Sequence, residues 1–148
     1  MKNIINEKPT DELHGRTLFA TEFVSDDDIK NKKILDIGCG FGWFELNAIK
    51  RNCKKIMGLE ISEDDLKTAK RYIKNSRVSF DIGNSMNLPF EDKTFDTVVA
   101  WEVLEHIPKN SEKKMFKEID RVLKSNGVFY LSTNNKSFFS NIFDLAWW

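Results

Sequence analysis

Glycine occupies every second position at Gly38, Gly40 and Gly42, directly after a short apolar run, Ile34, Leu35 and Ile37, that carries a single acid, Asp36. Residues without a Cβ tolerate positive φ and let a ligand approach the backbone, at an entropic cost on folding. Three in one plain turn would be wasteful. Trp43, Phe44, Leu46, Ala48 and Ile49 then begin a helical pattern, so the stretch reads as strand, glycine loop and helix N-terminus, whose free N–H groups suit a nucleotide-like ligand. Glu60, twenty positions after Gly40, closes the next apolar run. From there a carboxylate can accept hydrogen bonds from both hydroxyls of a ribose. Metal chemistry is not expected. Cys39 and Cys53 lack CxxC spacing, and two histidines are too few for a cluster.

The elements that would position these residues follow in a regular order. After β-type residues 33–37, the run 54–60 is a second strand and residues 62–75 a helix, which Ser62 can cap with Asp65 three residues on. Residues 77–82 alternate like a third strand. The nearly continuous apolar centre of 94–101 suits a fourth strand covered on both faces. Residues 111–127 place Met115, Phe116, Ile119, Val122 and Leu123 on one helical face that ends at Gly127, and "GVFYLST" is a fifth strand. Strands alternating with helices imply right-handed crossovers and an α/β, doubly wound, Rossmann-like and mostly parallel sheet with helices on both faces.

The 148 residues carry 23 basic and 23 acidic side chains, with 31% charged and 41% hydrophobic residues. No excess of positive charge points to nucleic acid or an anionic membrane. The polar N-terminus lacks a signal-peptide core, and no apolar run reaches a membrane-spanning length. A soluble, cytoplasmic protein with reduced thiols is expected. One domain spans 1–148, divided into an N-terminal helical segment (1–32), a core (33–133) and a tail (134–148).

The GxGxG loop with Trp43 where a dinucleotide fold places a third glycine, Glu60, "GNSMNLPF" (83–90), "FDTVVAWEVLEHI" (95–107) and "EIDRVLKSNGVFYLST" (118–133) occur in order across residues 33–133. Together they resemble the class I S-adenosylmethionine-dependent methyltransferases, and most the ubiquinone- and menaquinone-biosynthesis-like (type 11) branch. The resemblance implies S-adenosyl-L-methionine as cofactor and S-adenosyl-L-homocysteine as product. It implies that Asp36, Gly38 and Gly40, with Cys39 in the same loop, cradle the methionine part. Glu60 would hold the ribose, and Ile61 would lie against the adenine. Asn84 stands where the family usually has an aspartate toward the adenine amino group. Its uncharged carbonyl can still accept a hydrogen bond, so weaker binding is expected. Ser85 would offer its backbone N–H, and Trp101 and Glu102 would border the sulfonium and the acceptor. Some relatives reach the cofactor carboxylate from the N-terminal segment, which makes Arg16 a candidate contact, with a solvated arginine as the alternative.

Methyl transfer from an activated sulfonium needs alignment and exclusion of water more than a nucleophile. For a hydroxyl acceptor His106 is the best-placed candidate base; a hydrogen-bonding or pocket-lining histidine is the alternative. Glu102 and Glu105 are read either as site edge or as acids at a helix N-terminus. In the segment before the core, Leu13, Leu18, Phe19 and Phe23 suit a helix packing over the sheet with His14 and Arg16 toward the site.

The resemblance implies a small-molecule acceptor, leaving a lipid-like quinone, a sugar, a metabolite and a protein side chain open. A non-catalytic cofactor-binding module or a fragment of a larger enzyme is the first alternative, because relatives continue past the fifth strand toward a seven-stranded fold. A nicotinamide-dependent oxidoreductase is the second. The tail sets Ser137, Ser140, Asn141 and Asp144 opposite Phe138, Phe139, Ile142, Phe143 and Ala146 as an amphipathic helix. It is expected to cover an open edge of its own sheet or of a neighbouring chain, giving a homodimer. Only Lys136 lies near the stripe, so no stable membrane anchor is expected.

Overall fold

Short apolar runs buried on both sides become the strands of a parallel sheet. The computed structural model describes the backbone of residues 15–133 and the side chains of residues 18–133. Its strands are β1 (Lys33–Ile37), β2 (Lys55–Glu60), β3 (Val78–Ile82), β4 (Phe95–Trp101) and β5 (Leu123–Ser132), in the order β3-β2-β1-β4-β5. Every neighbouring pair is parallel, with Asp36 opposite both Gly58 and Val99. The chain therefore runs outward from β1 to β3 and returns to place β4 beside β1. That reversal opens a crevice beyond the carboxyl ends of β1 and β4.

Helices α1 (Gly15–Phe23), α2 (Trp43–Lys50), α3 (Glu63–Tyr72) and α4 (Glu112–Val122) cover the sheet. Alternation along β1 sends Ile34 to one face and Leu35 and Ile37 to the other. Ile34, Ile56 and Val99 pack with Ala20, Val24, Phe44 and Ala48, on the side of α1 and α2. Leu35, Ile37, Leu59 and Val98 pack with Met115, Ile119 and Val122 of α4. Phe44 is fully buried, and such burial stabilises by roughly 1.5 to 3 kcal/mol. The Ser62 hydroxyl accepts from the Asp65 N–H at 3.3 Å and caps α3 as its sequence requires. Among the described residues no helix is long and apolar enough to cross a membrane.

Three local expectations are corrected. Helix α4 ends at Val122 instead of near Gly127, because the Lys93 and Thr94 N–H groups donate to the Arg121 and Val122 carbonyls at 2.9 and 2.8 Å. These bonds satisfy groups that a longer helix would have used. Leu123 already pairs with Phe95, the register then shifts, and a Cβ on Gly127 would lie 3.1 Å from the Asp96 carbonyl oxygen. Helix α1 buries Ala20 and Thr21, with Val24 just beyond its end, and leaves Leu18, Phe19 and Phe23 exposed. Glu102 and Glu105 stand on no helix; the segment after β4 is a series of turns up to α4. Leu13, His14, the Arg16 side chain and the tail lie outside the described residues.

The segment joining β3 to β4 is fastened to α4 by Arg121. Its guanidinium donates to the Phe90 and Leu88 carbonyls at 2.7 and 3.0 Å and pairs with Asp92 and Glu118 at 2.9 and 2.8 Å. Glu118 in turn accepts the Leu88 N–H at 2.8 Å. The Arg121 hydrogen bonds pull the Glu118 carboxyl down to about 2. This clamp holds the segment that carries Asn84 and Ser85.

Candidate cofactor-binding site

The loop after β1 turns sharply because Gly38, Gly40 and Gly42 have φ of +74°, +52° and +88°. Gly38 donates its N–H to the Leu59 carbonyl at 2.7 Å, docking the loop on the end of β2. A Cβ on Gly38 would stand 2.7 Å from Val103 Cγ2, and one on Gly42 would stand 2.5 Å from Ile73 Cδ1. At both positions a larger residue would be strained by the positive φ and would have to displace the end of a neighbouring side chain. At Gly40 no atom lies within 4 Å of the Cβ position, so there the loop is open.

Glu60 ends β2 with its side chain turned back on the loop. Oε2 accepts the Gly40 N–H at 3.0 Å; Oε1 accepts the Ile61 and Ser62 N–H groups at 2.7 and 3.1 Å. A carboxylate offers about four lone-pair sites. One carboxylate thus joins the glycine loop to the turn before α3.

Beyond the strand ends lies a cavity of about 730 Å³. Its walls include Gly38, Glu60, Ile61, Asn84 and Ser85 on one side and Trp101, Glu102 and His106 on the other. Ile61 is 73% exposed there, a large apolar side chain available to a ligand. Asn84 forms a turn in which its Oδ1 accepts the Met86 N–H at 2.8 Å, while Ser85 is buried. Glu102 adopts φ of +57°, a conformation that a non-glycine residue holds only when its surroundings impose it. Here the Glu102 N–H donates to the Ser132 carbonyl at 3.1 Å, and the Ser132 hydroxyl donates to Glu102 Oε1 at 2.9 Å. Sequence reasoning missed Met86, Val103, Ile107 and Pro108, which also line the cavity. Val103 was recognisable only through its contact with Gly38.

Asp36, Cys39 and Gly40 are not part of the cavity wall. Asp36 is fully buried, as is Glu45 on α2, and neither carboxyl has a hydrogen-bond partner among the described residues. Burial first, then repulsion from Glu45 and Glu60, raises Asp36 well above the usual carboxylate range. Burial pushes Glu45 up to about 8, so Glu45 is largely protonated at pH 7. Burial and the same three acids also push the Cys39 thiol up, leaving it a small inert loop residue. Sequence reasoning missed Glu45. Its signal was an acid between Phe44 and Ala48 on the face of α2 that must be apolar.

These residues fit a nucleoside joined to an amino acid. The cavity has the volume of a ligand site, a carboxylate stands at its β2 rim, the loop is open at Gly40, and an orphaned acid lies beneath the loop where a cationic amino group would be welcome.

The comparisons with known proteins agree. The family model described as "Methyltransferase domain" matches residues 35–131. Norajmaline N-methyltransferase of Rauvolfia serpentina is 36% identical over 97 residues, covering 63% of this chain and 32% of that protein. Ubiquinone biosynthesis O-methyltransferase of Pelagibacter ubique is 32% identical over 123 residues, covering 82% of this chain and 50% of that one. The chain thus spans half or less of the length of these curated relatives. An S-adenosylmethionine-dependent methyltransferase from Mesorhizobium loti superposes with a TM-score of 0.71 at 22% identity, covering 78% of this chain and 52% of that chain, and shows the same fold. A crevice at the sheet's reversal, a glycine loop tied to an acid at the end of β2 and a family match across the whole core lead to one conclusion: the chain belongs to the S-adenosylmethionine-dependent methyltransferases of class I.

Proposed function

We propose that the chain binds S-adenosylmethionine in this cavity and transfers its methyl group to a small-molecule or lipid-like acceptor by direct in-line displacement. The observation that carries the reading is the convergence of Gly38, Glu60, Ile61, Asn84, Ser85, Trp101, Glu102 and His106 around one cavity at the carboxyl ends of β1, β2, β3 and β4. When bound, the cofactor supplies a methyl group already activated on a cationic sulfur. The protein's part is then to bind, orient and keep water out. Glu60 accepts one ribose hydroxyl at the site that remains on Oε2 beside its three backbone donors, and Ile61 covers the adenine. Asn84 and the Ser85 N–H meet the adenine edge, held in place by the Arg121 clamp. Asp36 beneath Gly38 and Gly40 faces the cationic amino end. At the other side Trp101 and Glu102 direct the acceptor's lone pair toward the methyl carbon. An acceptor that carries a proton at the methylated atom would have to lose it. For a hydroxyl acceptor an imidazole nitrogen of His106, exposed on the cavity wall, takes that proton.

The test is incubation with methyl-labelled S-adenosylmethionine and a panel of hydroxyl, amine and ring-carbon acceptors. Labelled product and S-adenosylhomocysteine should appear together. Cofactor binding without turnover on any acceptor would make the chain a binding module.

A further inference from the structure

A second cavity, of about 420 Å³, lies between α1 and the ends of β4 and β5. It meets the first at Trp101 and Glu102, which line both. Its other walls are Phe19, Phe23, Trp43 and Leu131, with Ala20 and Ser132. Among the described residues its carboxylate and hydroxyl are those of Glu102 and Ser132, which hydrogen-bond at 2.9 Å at the junction, and its other side-chain polar groups are the indole N–H groups of Trp43 and Trp101. The far end is aromatic. Phe19 and Phe23 are 70% and 65% exposed and stack on each other with ring centroids 6.2 Å apart. Phe23 also meets Tyr130 edge-on at 6.0 Å, and Trp43 lies 6.3 Å from Trp101. Helix α1 spends Ala20 on the core, with Val24 just beyond its end, and turns its two phenylalanines away from it.

We propose that this aromatic cavity is the acceptor subsite and that it takes a flat, apolar acceptor of two or three rings bearing a single hydroxyl or amine. The proposal rests on the methyltransferase reading of the neighbouring cavity and supplies its substrate class. Rings stack in offset or edge-on fashion on exposed aromatic faces, and a contiguous exposed apolar patch of this kind marks a binding surface. One polar end means that a ring system enters with its heteroatom foremost, toward Glu102 and Ser132, which is the end adjoining the methyl donor. A sugar or an amino acid would bring several polar groups against Phe19, Phe23 and Leu131, whose side chains carry no hydrogen-bonding group. Continuity through Trp101 and Glu102 selects a methyl acceptor over another occupant.

Calorimetry with 2-naphthol, with glycine and with S-adenosylhomocysteine tests this on the full chain, on Phe19→Ser and Phe23→Ser, and on the milder Phe19→Leu and Phe23→Leu. The wild type should bind 2-naphthol and not glycine. Each serine variant should weaken 2-naphthol by about tenfold and each leucine variant by less, with S-adenosylhomocysteine held within about twofold, which also reports an intact fold. Binding of S-adenosylhomocysteine without 2-naphthol, or 2-naphthol binding that no variant alters, overturns the proposal. So does a dimer that the serine variants dissociate while 2-naphthol binding is unaffected, since the patch would then join two copies. Loss of S-adenosylhomocysteine from the wild type, with 2-naphthol still sensitive to Phe19 and Phe23, would instead remove the cofactor reading and leave an apolar ring subsite standing.

Discussion

The carboxylate of Glu60 accepts three backbone N–H groups, whereas the carboxyls of Asp36 and Glu45, also beside the glycine loop, meet no hydrogen-bond partner among the described residues. Burial and then repulsion from Glu45 and Glu60 raise the Asp36 carboxyl, and Asp36 and Glu45 are wholly buried. The fold treats this pair and Glu60 in opposite ways. Glu60 stabilises the loop before any ligand arrives, because it satisfies donors that would otherwise be orphaned. The buried pair works against stability, since each unpaired polar group removed from water costs about 1 to 3 kcal/mol. A fold that retains such a pair beside the glycine loop gives up stability there.

The largest effect should come from breaking the satisfied side. Glu60→Ala should weaken S-adenosylhomocysteine binding by roughly 1 to 3 kcal/mol in calorimetry, the scale of hydrogen bonds to a charged group. It should also lower the melting temperature, because the Gly40, Ile61 and Ser62 N–H groups lose their acceptor. Unchanged affinity would place the ribose elsewhere.

Glu45→Gln probes the unsatisfied side with a smaller effect of opposite sign. The folded-state value of Glu45, about 8, stands above the ordinary 4.5. Its contribution is therefore fully present below pH 4.5 and is lost as pH rises toward 8. Melting temperatures of the wild type should fall across that window. Those of Glu45→Gln should fall less, so that the variant is the more stable of the two at pH 8. Parallel profiles would mean that Glu45 finds a partner the static structure does not show.

The smallest effect is expected at Asn84→Asp. The turn bond to the Met86 N–H survives the change, and the added charge strengthens any donor from the adenine. Affinity should hold or rise by up to about 1 kcal/mol. A large loss would show an adenine pocket arranged differently.

The glycine loop and Glu60 were legible in the sequence because their signals are local: φ restrictions, a missing Cβ and a fixed separation along two adjacent strands. Ser62 as a cap was legible for the same reason. What escaped depends on partners distant in the chain. The end of α4 is set by Lys93 and Thr94, some thirty residues upstream of it; Gly127, the apparent stop signal, serves close approach to Asp96. The apolar residues of α1 were legible as apolar, yet periodicity cannot distinguish a face that enters the core from one that lines a cavity. Glu45 looked like an ordinary helix acid until Gly58 and Cys39 were seen to pack around it. Arg121, remote from the site, could be recognised only once its carbonyl partners at Leu88 and Phe90 were in place.

The central claim, a cofactor site built on the loop after β1 and on Glu60, is tested most directly by calorimetric titration of the wild-type chain with S-adenosylhomocysteine, S-adenosylmethionine and NAD. Saturable binding of the first two with no binding of NAD is predicted. A preference for NAD, or no binding of either adenosyl compound, would contradict it.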